Sequence, residues 1–199
     1  MSGGTSGGAS GGAVLRVLRA ADRTATVWKN GGGVTREIAV RPEGAGMDDF
    51  VWRASLAEVG SDGPFSAFPG IDRTLTLAEG AGMDLTVGGV GRLVDERYVP
   101  QAFAGDEPTD CRLLDGPVVN FNVMYRRGAA VVETAVVRGR LTVTAPPDET
   151  LLVVALEGAA TLDADGLAVA LDPYDAVLAA GPFTGLVRTS GRAAVVRFR

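Results

Sequence analysis

From Ala13 onward the apolar and polar positions fall into short runs separated by turns, and no clear amphipathic helix interrupts them. Phe50 to Ala57 shows the pattern best. Phe50, Trp52, Ala54 and Leu56 alternate with Val51, Arg53, Ser55 and Ala57, the period of two that puts successive side chains on opposite faces of a strand. Val118 to Met124 and Val131 to Val137 are further β-rich runs. Asp62-Gly63, Gly88-Gly89 and Asp165-Gly166 read as turns, since these residues tolerate positive φ. Many short strands with regular turns predict an all-β sandwich or barrel.

An internal echo refines this expectation. Asp72-Arg73-Thr74-Leu75 opens a segment that runs through Glu79-Gly80-Ala81 and Leu85 to Phe103-Ala104-Gly105. Asp148-Glu149-Thr150-Leu151 opens another, through Glu157-Gly158-Ala159 and Leu162 to Phe183-Thr184-Gly185. Strand, Glu-Gly turn, strand, glycine turn, strand is how a cupin module reads. The expected architecture is therefore a bicupin: a flexible Gly/Ser tail over 1–12, one small antiparallel β-barrel over 13–116 and a second over 117–199.

Composition narrows the chemistry. The chain has 199 residues, 46% of them hydrophobic, which is enough to build a sizeable core. The formal charge is −5, so no basic stripe is expected to displace counterions from nucleic acid, and no attraction to an anionic membrane surface. The single cysteine, Cys111, cannot form an internal disulfide, no signal-peptide pattern opens the sequence, and the cytoplasm is the expected compartment. There is no histidine. Two- or three-histidine transition-metal sites and histidine-dependent triads are thus excluded, and no metal or other cofactor is expected.

Several motifs occur in a characteristic order: Trp28-Lys29-Asn30-Gly31-Gly32-Gly33-Val34-Thr35-Arg36-Glu37-Ile38, then Phe50-Val51-Trp52-Arg53-Ala54-Ser55-Leu56-Ala57, then Asp62-Gly63-Pro64-Phe65-Ser66, Phe68-Pro69-Gly70 and Asp72-Arg73. Phe103-Ala104-Gly105-Asp106 and Phe121-Asn122-Val123-Met124 with Arg126-Arg127 follow. Over Trp28 to Arg127 the chain resembles the HutD/Ves family of two-cupin proteins associated with histidine utilisation. It departs from the family at Asn120, where an aspartate is usual. The resemblance implies a bacterial regulatory protein that senses a small carboxylate such as N-formylglutamate, with homodimerisation as a family-level expectation. The rival readings are a metal-independent isomerase or lyase acting on an anionic metabolite, which needs Asp106, Glu37 or Tyr125 as its titratable group, and a stress-related interaction protein.

Strand parity supplies the candidate ligand-binding residues. Arg53 and Ser55 share one face, and a guanidinium holds a carboxylate through two parallel charge-assisted hydrogen bonds; the alternative for Arg53 is a structural ion pair. Asn120, Asn122, Met124 and Arg126 share a face of a second strand, with Asn122 in a family motif. Asn30 is either a turn former or a pocket amide. Phe65 and Ser66 offer a wall and a hydroxyl, and Asp106 is a turn or pocket carboxylate. Arg36 and Arg73 are expected to pair with nearby carboxylates, Trp28 and Trp52 to pack in the core, and Asp62 to serve its turn. No catalytic residue is assigned.

Overall fold

The computed structural model describes residues 13–199, so the tail expected over 1–12 lies outside it. Its strands are β1 (Val14–Leu18), β2 (Ala25–Val27), β3 (Gly33–Arg41), β4 (Trp52–Val59), β5 (Gly63–Phe65), β6 (Ile71–Glu79), β7 (Met83–Val87), β8 (Val90–Val94) and β9 (Gln101–Ala104). They continue with β10 (Thr109–Leu113), β11 (Val118–Arg126), β12 (Val132–Ala145), β13 (Thr150–Glu157), β14 (Ala160–Ala164), β15 (Leu167–Leu171), β16 (Ala176–Ala180) and β17 (Phe183–Phe198). A single turn of 3-10 helix, Ala20–Asp22, is the only helical element among the described residues, and no helix there is long and apolar enough to cross a membrane. The fold is all-β and every pairing is antiparallel.

Three sheets form. The first has six strands in the order β2-β3-β4-β11-β6-β9, and the second has four, β5-β10-β7-β8. The third runs β1-β16-β13-β17-β14-β15, with β12 also on β17. Alternation along each strand sends its two faces to different cores. Val59, Leu75, Leu77 and Val118 of the six-stranded sheet pack with Met83, Leu85 and Cys111 of the four-stranded one. On the other face Trp52, Leu56, Phe121 and Val123 meet Leu152, Val154, Ala194 and Val196 of the third sheet. There the Trp52 ring stacks on Phe198 with centroids 3.9 Å apart. A third core, including Leu151, Val153, Leu162 and Val187, fills the concavity of the seven-stranded sheet itself.

The echo in the sequence corresponds to a repeat in the pairing. β6 pairs β11 and β9, while β7 pairs β10 and β8; likewise β13 pairs β17 and β16, while β14 pairs β17 and β15. The Tyr98 amide donates to Leu77 O at 2.8 Å, and the Tyr174 amide donates to Ala155 O at 2.6 Å. Hairpins at Gly88-Gly89 and Asp165-Gly166 both turn through two positive-φ residues, at 55° and 80° and at 50° and 79°. This is the tight turn whose twist matches that of the flanking strands. Leu77 thus corresponds to Ala155, and Glu79 to Glu157. In that register Arg73 matches Leu151, two places later than the Asp72-Arg73/Asp148-Glu149 alignment read from the sequence.

Other expectations change in detail. The hydrogen bonding does not divide at Gly116: β11 lies at the middle of the six-stranded sheet, and β1 adds to β16 at the edge of the C-terminal one. The run from Val131 belongs to a strand that continues to Ala145. Phe50 is not on the Trp52 face. It precedes β4 and buries fully beside Val40, Ile71 and Met124, because the chain has not yet entered the strand's alternation. Asp62-Gly63 leads into β5 rather than closing a hairpin; the Asp62 carboxylate caps the Leu113 amide at 2.8 Å.

Close approach requires a glycine at position 191. A Cβ on Gly191 would lie 2.2 Å from the carbonyl oxygen of Glu157 and 2.7 Å from its carbonyl carbon. Both are backbone atoms of a central strand and cannot step aside. Gly191→Ala is expected to cost about 1–3 kcal/mol by overpacking, read as a fall in melting temperature of roughly 3–10 °C. An unchanged transition would show that the β13–β17 bulge relaxes freely.

Candidate functional site

The face of the six-stranded sheet that looks toward β5, β7, β8 and β10 carries an unusual set of polar side chains. In register across β4, β11 and β6, Ser55 stands beside Asn122 and Asn122 beside Leu75. One row along stand Arg53, Met124, Arg73 and, on β9, Phe103. The row on the other side is Ala57, Asn120 and Leu77. Ser55 and Asn122 therefore share a surface, as strand parity predicts, and Arg73 joins them from β6.

This surface is sealed. Ser55 is 5% exposed, Asn122 6%, Asn120 0% and Arg73 9%. Asn120 Oδ1 and Nδ2, Asn122 Oδ1 and Arg73 Nε are all buried without a hydrogen-bond partner among the described residues. Among the described residues Arg73 has no carboxylate partner either, contrary to the ion pair expected for it. Its guanidinium lies 5.3 Å from the centroid of Phe65, 5.7 Å from Phe68 and 5.1 Å from Phe103. Aromatic faces attract a cation, yet burial still lowers the Arg73 pKa to about 10. A buried polar group without a partner costs about 1–3 kcal/mol, and a charged one more.

The C-terminal half shows that the fold does not need this expense. By the repeated pairing, Arg73 corresponds to Leu151, Asn120 to Ala193, Asn122 to Val195 and Ser55 to Ala135. The same scaffold is built there with apolar residues at all these positions, and Leu151, Ala193 and Val195 belong to one continuous apolar core. The polar set is thus an addition to the sheet rather than a condition for making it.

The remaining candidates separate. Arg53 is half-buried and held by Glu37 at 3.1 Å, with Met47 Sδ also against its guanidinium, the geometry of a structural ion pair at the edge of the polar surface. Phe65 is brought into the site as one wall of the Arg73 cage, while Ser66 is exposed beyond it. Asn30 is exposed and its Oδ1 accepts the Gly32 amide at 3.1 Å, so the amide serves its turn. Arg36 pairs with Glu58 as expected. Trp28 packs edge-on against Phe65 and its Nε1–H donates to Thr35 Oγ1 at 2.8 Å.

Asp106 is exposed and works on the loop that covers the cage. Its Oδ1 accepts the Gly70 amide at 2.7 Å, and its Oδ2 accepts from Arg127 at 2.7 Å; these two contacts hold its carboxyl below the usual range. With Phe68 N–H donating to Gly105 O at 2.7 Å, they fix the Phe68–Gly70 loop. A carboxyl with a lowered folded pKa contributes stability above the unfolded value near 4, and that contribution fades as pH falls through the folded value. Asp106→Ala is expected to accelerate hydrogen exchange at the Gly70 amide near neutral pH, and equal exchange in both proteins would refute the tether. Tyr125 is shifted upward by burial, so neither it nor Asp106 moves toward neutrality. Among the described residues no group of three Cys, Asp or Glu side chains converges as a metal site.

Arg73 is the site residue that motif reading underrated. Its signal was present: parity along Ile71–Glu79 puts it on the face of Leu75 and Leu77, an arginine in an apolar stripe.

The HutD family profile matches residues 20–196. An uncharacterised 21.2 kDa protein from the hutC 3' region of Pseudomonas putida is 41% identical over 111 residues, covering 56% of this chain and 58% of that protein. Protein Ves of Cronobacter sakazakii is 42% identical over 102 residues, 51% of this chain and 55% of that protein. The matched stretch thus spans little more than half the length of these curated relatives. The structure of HutD from Pseudomonas fluorescens SBW25, in a formate condition, is 33% identical over 93% of this chain and 98% of that one, with a TM-score of 0.81. A cupin 2 conserved barrel domain protein from Leptotrichia buccalis, 13% identical, covers 88% of this chain and 90% of its own with a TM-score of 0.54, a likeness of fold.

Proposed function

The chain belongs to the HutD family, and from that premise we propose that it binds a small carboxylate against Arg73 and acts as a sensor rather than an enzyme. The observation that carries the reading is the unpaired, phenylalanine-caged guanidinium of Arg73, set beside unsatisfied Asn120 and Asn122 where the C-terminal half has only apolar side chains. A carboxylate supplies the missing counter-charge, and the two amides and Ser55 offer donors and acceptors for the rest of a small polar ligand. N-formylglutamate, or a related intermediate of histidine breakdown, fits that chemistry with carboxylates and an amide. The cage is closed, so entry requires Phe65 and Phe68 to swing outward on the Gly63–Gly70 segment.

The proposal includes the architecture: two cupin barrels packed through the Trp52–Phe198 layer, with β11 in the first and β1 lent to the second, and only the first equipped to take a ligand. It moves the anion anchor from Arg53 to Arg73.

Thermal unfolding with formate, acetate, glutamate and N-formylglutamate tests the function. A ligand at about 100 times its dissociation constant stabilises by about 2.7 kcal/mol, a rise of roughly 5–10 °C for this size of chain. No shift with any of the four would sink the reading. Arg53→Lys keeps a cation for Glu37. Its dissociation constant for the same ligand is expected to stay within about fivefold of wild type, measured calorimetrically; a far larger loss would return the anchor to Arg53.

A further inference from the structure

A second cleft, of about 500 Å³, opens at the junction of the six- and seven-stranded sheets, with Arg23, Arg36, Glu58, Glu79, Val119 and Tyr174 among its lining residues. It is distinct from the Arg73 face, because Leu56 and Tyr174, which also line it, belong to the opposite side of the sheet or to the layer packed against that side. The repeat in the fold gives this cleft an internal counterpart. Val119 pairs with Glu79 as Arg192 pairs with Glu157, each beside the same register shift. Tyr174 reaches across to hydrogen-bond Glu79, and at Tyr98, its equivalent, burial pushes the phenol pKa up, with Arg97 opposing and the charge of Glu157 adding to the rise. The difference is what covers the tyrosine. At the counterpart the Arg192 guanidinium carbon sits 5.7 Å from the Tyr98 ring centroid, whereas at the cleft the equivalent residue is Val119 and the space is open.

We propose that this open cleft binds a cationic α-amino acid, whose side-chain cation takes over Tyr174 and Glu79 the place that Arg192 takes over Tyr98 and Glu157. The cleft offers a partner to the ligand's carboxylate and another to its side-chain cation. Arg36 and Glu58 pair with each other and cancel. Arg23 remains, with Nη2 donating to Leu18 O at 3.0 Å and with Nε and Nη1 buried without an acceptor among the described residues. The acid nearest to it in charge, Asp175, is already held by Arg19 at 2.6 Å and by the Ala20 amide at 2.7 Å. A ligand carboxylate completes Arg23 while the ligand's side-chain cation faces Glu79; the α-ammonium is left to solvent at the open mouth, and Arg97, whose charge also reaches Tyr174, lies outside the lining. This site is independent of the carboxylate pocket at Arg73.

Calorimetric titration of the full chain with L-arginine, L-lysine and L-histidine tests it, with agmatine as arginine lacking its carboxylate. At least one of the three amino acids is expected to bind with a millimolar or tighter constant. Val119→Arg supplies the chain's own guanidinium and is expected to weaken that binding at least about tenfold without lowering the melting temperature. Arg23→Gln is expected to weaken it similarly, and agmatine to bind about tenfold more weakly than L-arginine. Arg73→Leu should leave all of these titrations unchanged, which separates this site from the first. No binding by any of the three, or equal binding after Val119→Arg, overturns the proposal. Should Val119→Arg fail to fold, Tyr174→Leu replaces it, and undiminished binding there overturns the proposal equally.

Discussion

Arg73→Leu is expected to raise the melting temperature and to weaken carboxylate binding at the same time. The C-terminal half supplies the precedent, since Leu151 occupies the corresponding position in an apolar core. In the free protein Arg73 is a buried cation without an anion, and burial depresses its pKa to about 10. A base whose folded pKa is lowered is penalised wherever it stays charged. The cost is therefore fully present below about pH 10 and is relieved only as pH rises through the folded value toward the unfolded one. Contacts with Phe65, Phe68 and Phe103 offset part of it. Removing the charge while keeping an apolar side chain should leave a net gain of about 1–3 kcal/mol, or roughly 3–10 °C. Loss of the charge-assisted bond should weaken the ligand by about 1.5–3 kcal/mol, roughly ten- to a hundred-fold. Thermal melts with and without ligand read both effects. A variant that melts several degrees lower would make Arg73 a structural residue, and one that binds normally would place the anchor elsewhere.

The opposite sign is expected one face away. Phe121 is wholly buried on β11, between Leu56 and Thr76 in register, and packs in the layer that joins the sheets. Phe121→Ala removes most of a large side chain where both sheets are hydrogen-bonded and cannot collapse into the gap. The expected loss is about 3–5 kcal/mol, a fall of roughly 10–15 °C. Its neighbour Asn122 points the other way, and Asn122→Val, which copies Val195, should be neutral or stabilising. Urea unfolding of the two variants gives the comparison. Equal destabilisation by both would mean that Asn122 is satisfied within the fold, and the case for a ligand there would fail.

Much of this was legible in the sequence. Period-two alternation placed β4 and β11 and the shared face of Arg53 and Ser55, because a pleated strand must send neighbours to opposite sides. The Gly88-Gly89 and Asp165-Gly166 turns followed from the positive φ that a two-residue hairpin needs. Ordered motifs from Trp28 to Arg127 mark the family without reference to the fold. These are local properties, set by a few adjacent residues, and a sequence states them directly.

What the sequence could not state was which partners meet. Arg53 and Arg73 look alike as motif arginines; only the assembled sheet gives Glu37 to the first and three phenylalanine rings to the second. The echo suggested a repeat, but its register came from backbone hydrogen bonds at Tyr98 and Tyr174, and that register turned Leu151 into the counterpart of Arg73. The placement of β1 on β16 and of β11 between β4 and β6 likewise joins segments far apart in the chain. Alternation fixes which way a side chain points relative to its own strand, whereas its partners and its desolvation depend on strands brought together from elsewhere, so charge pairing is decided only when the sheets close.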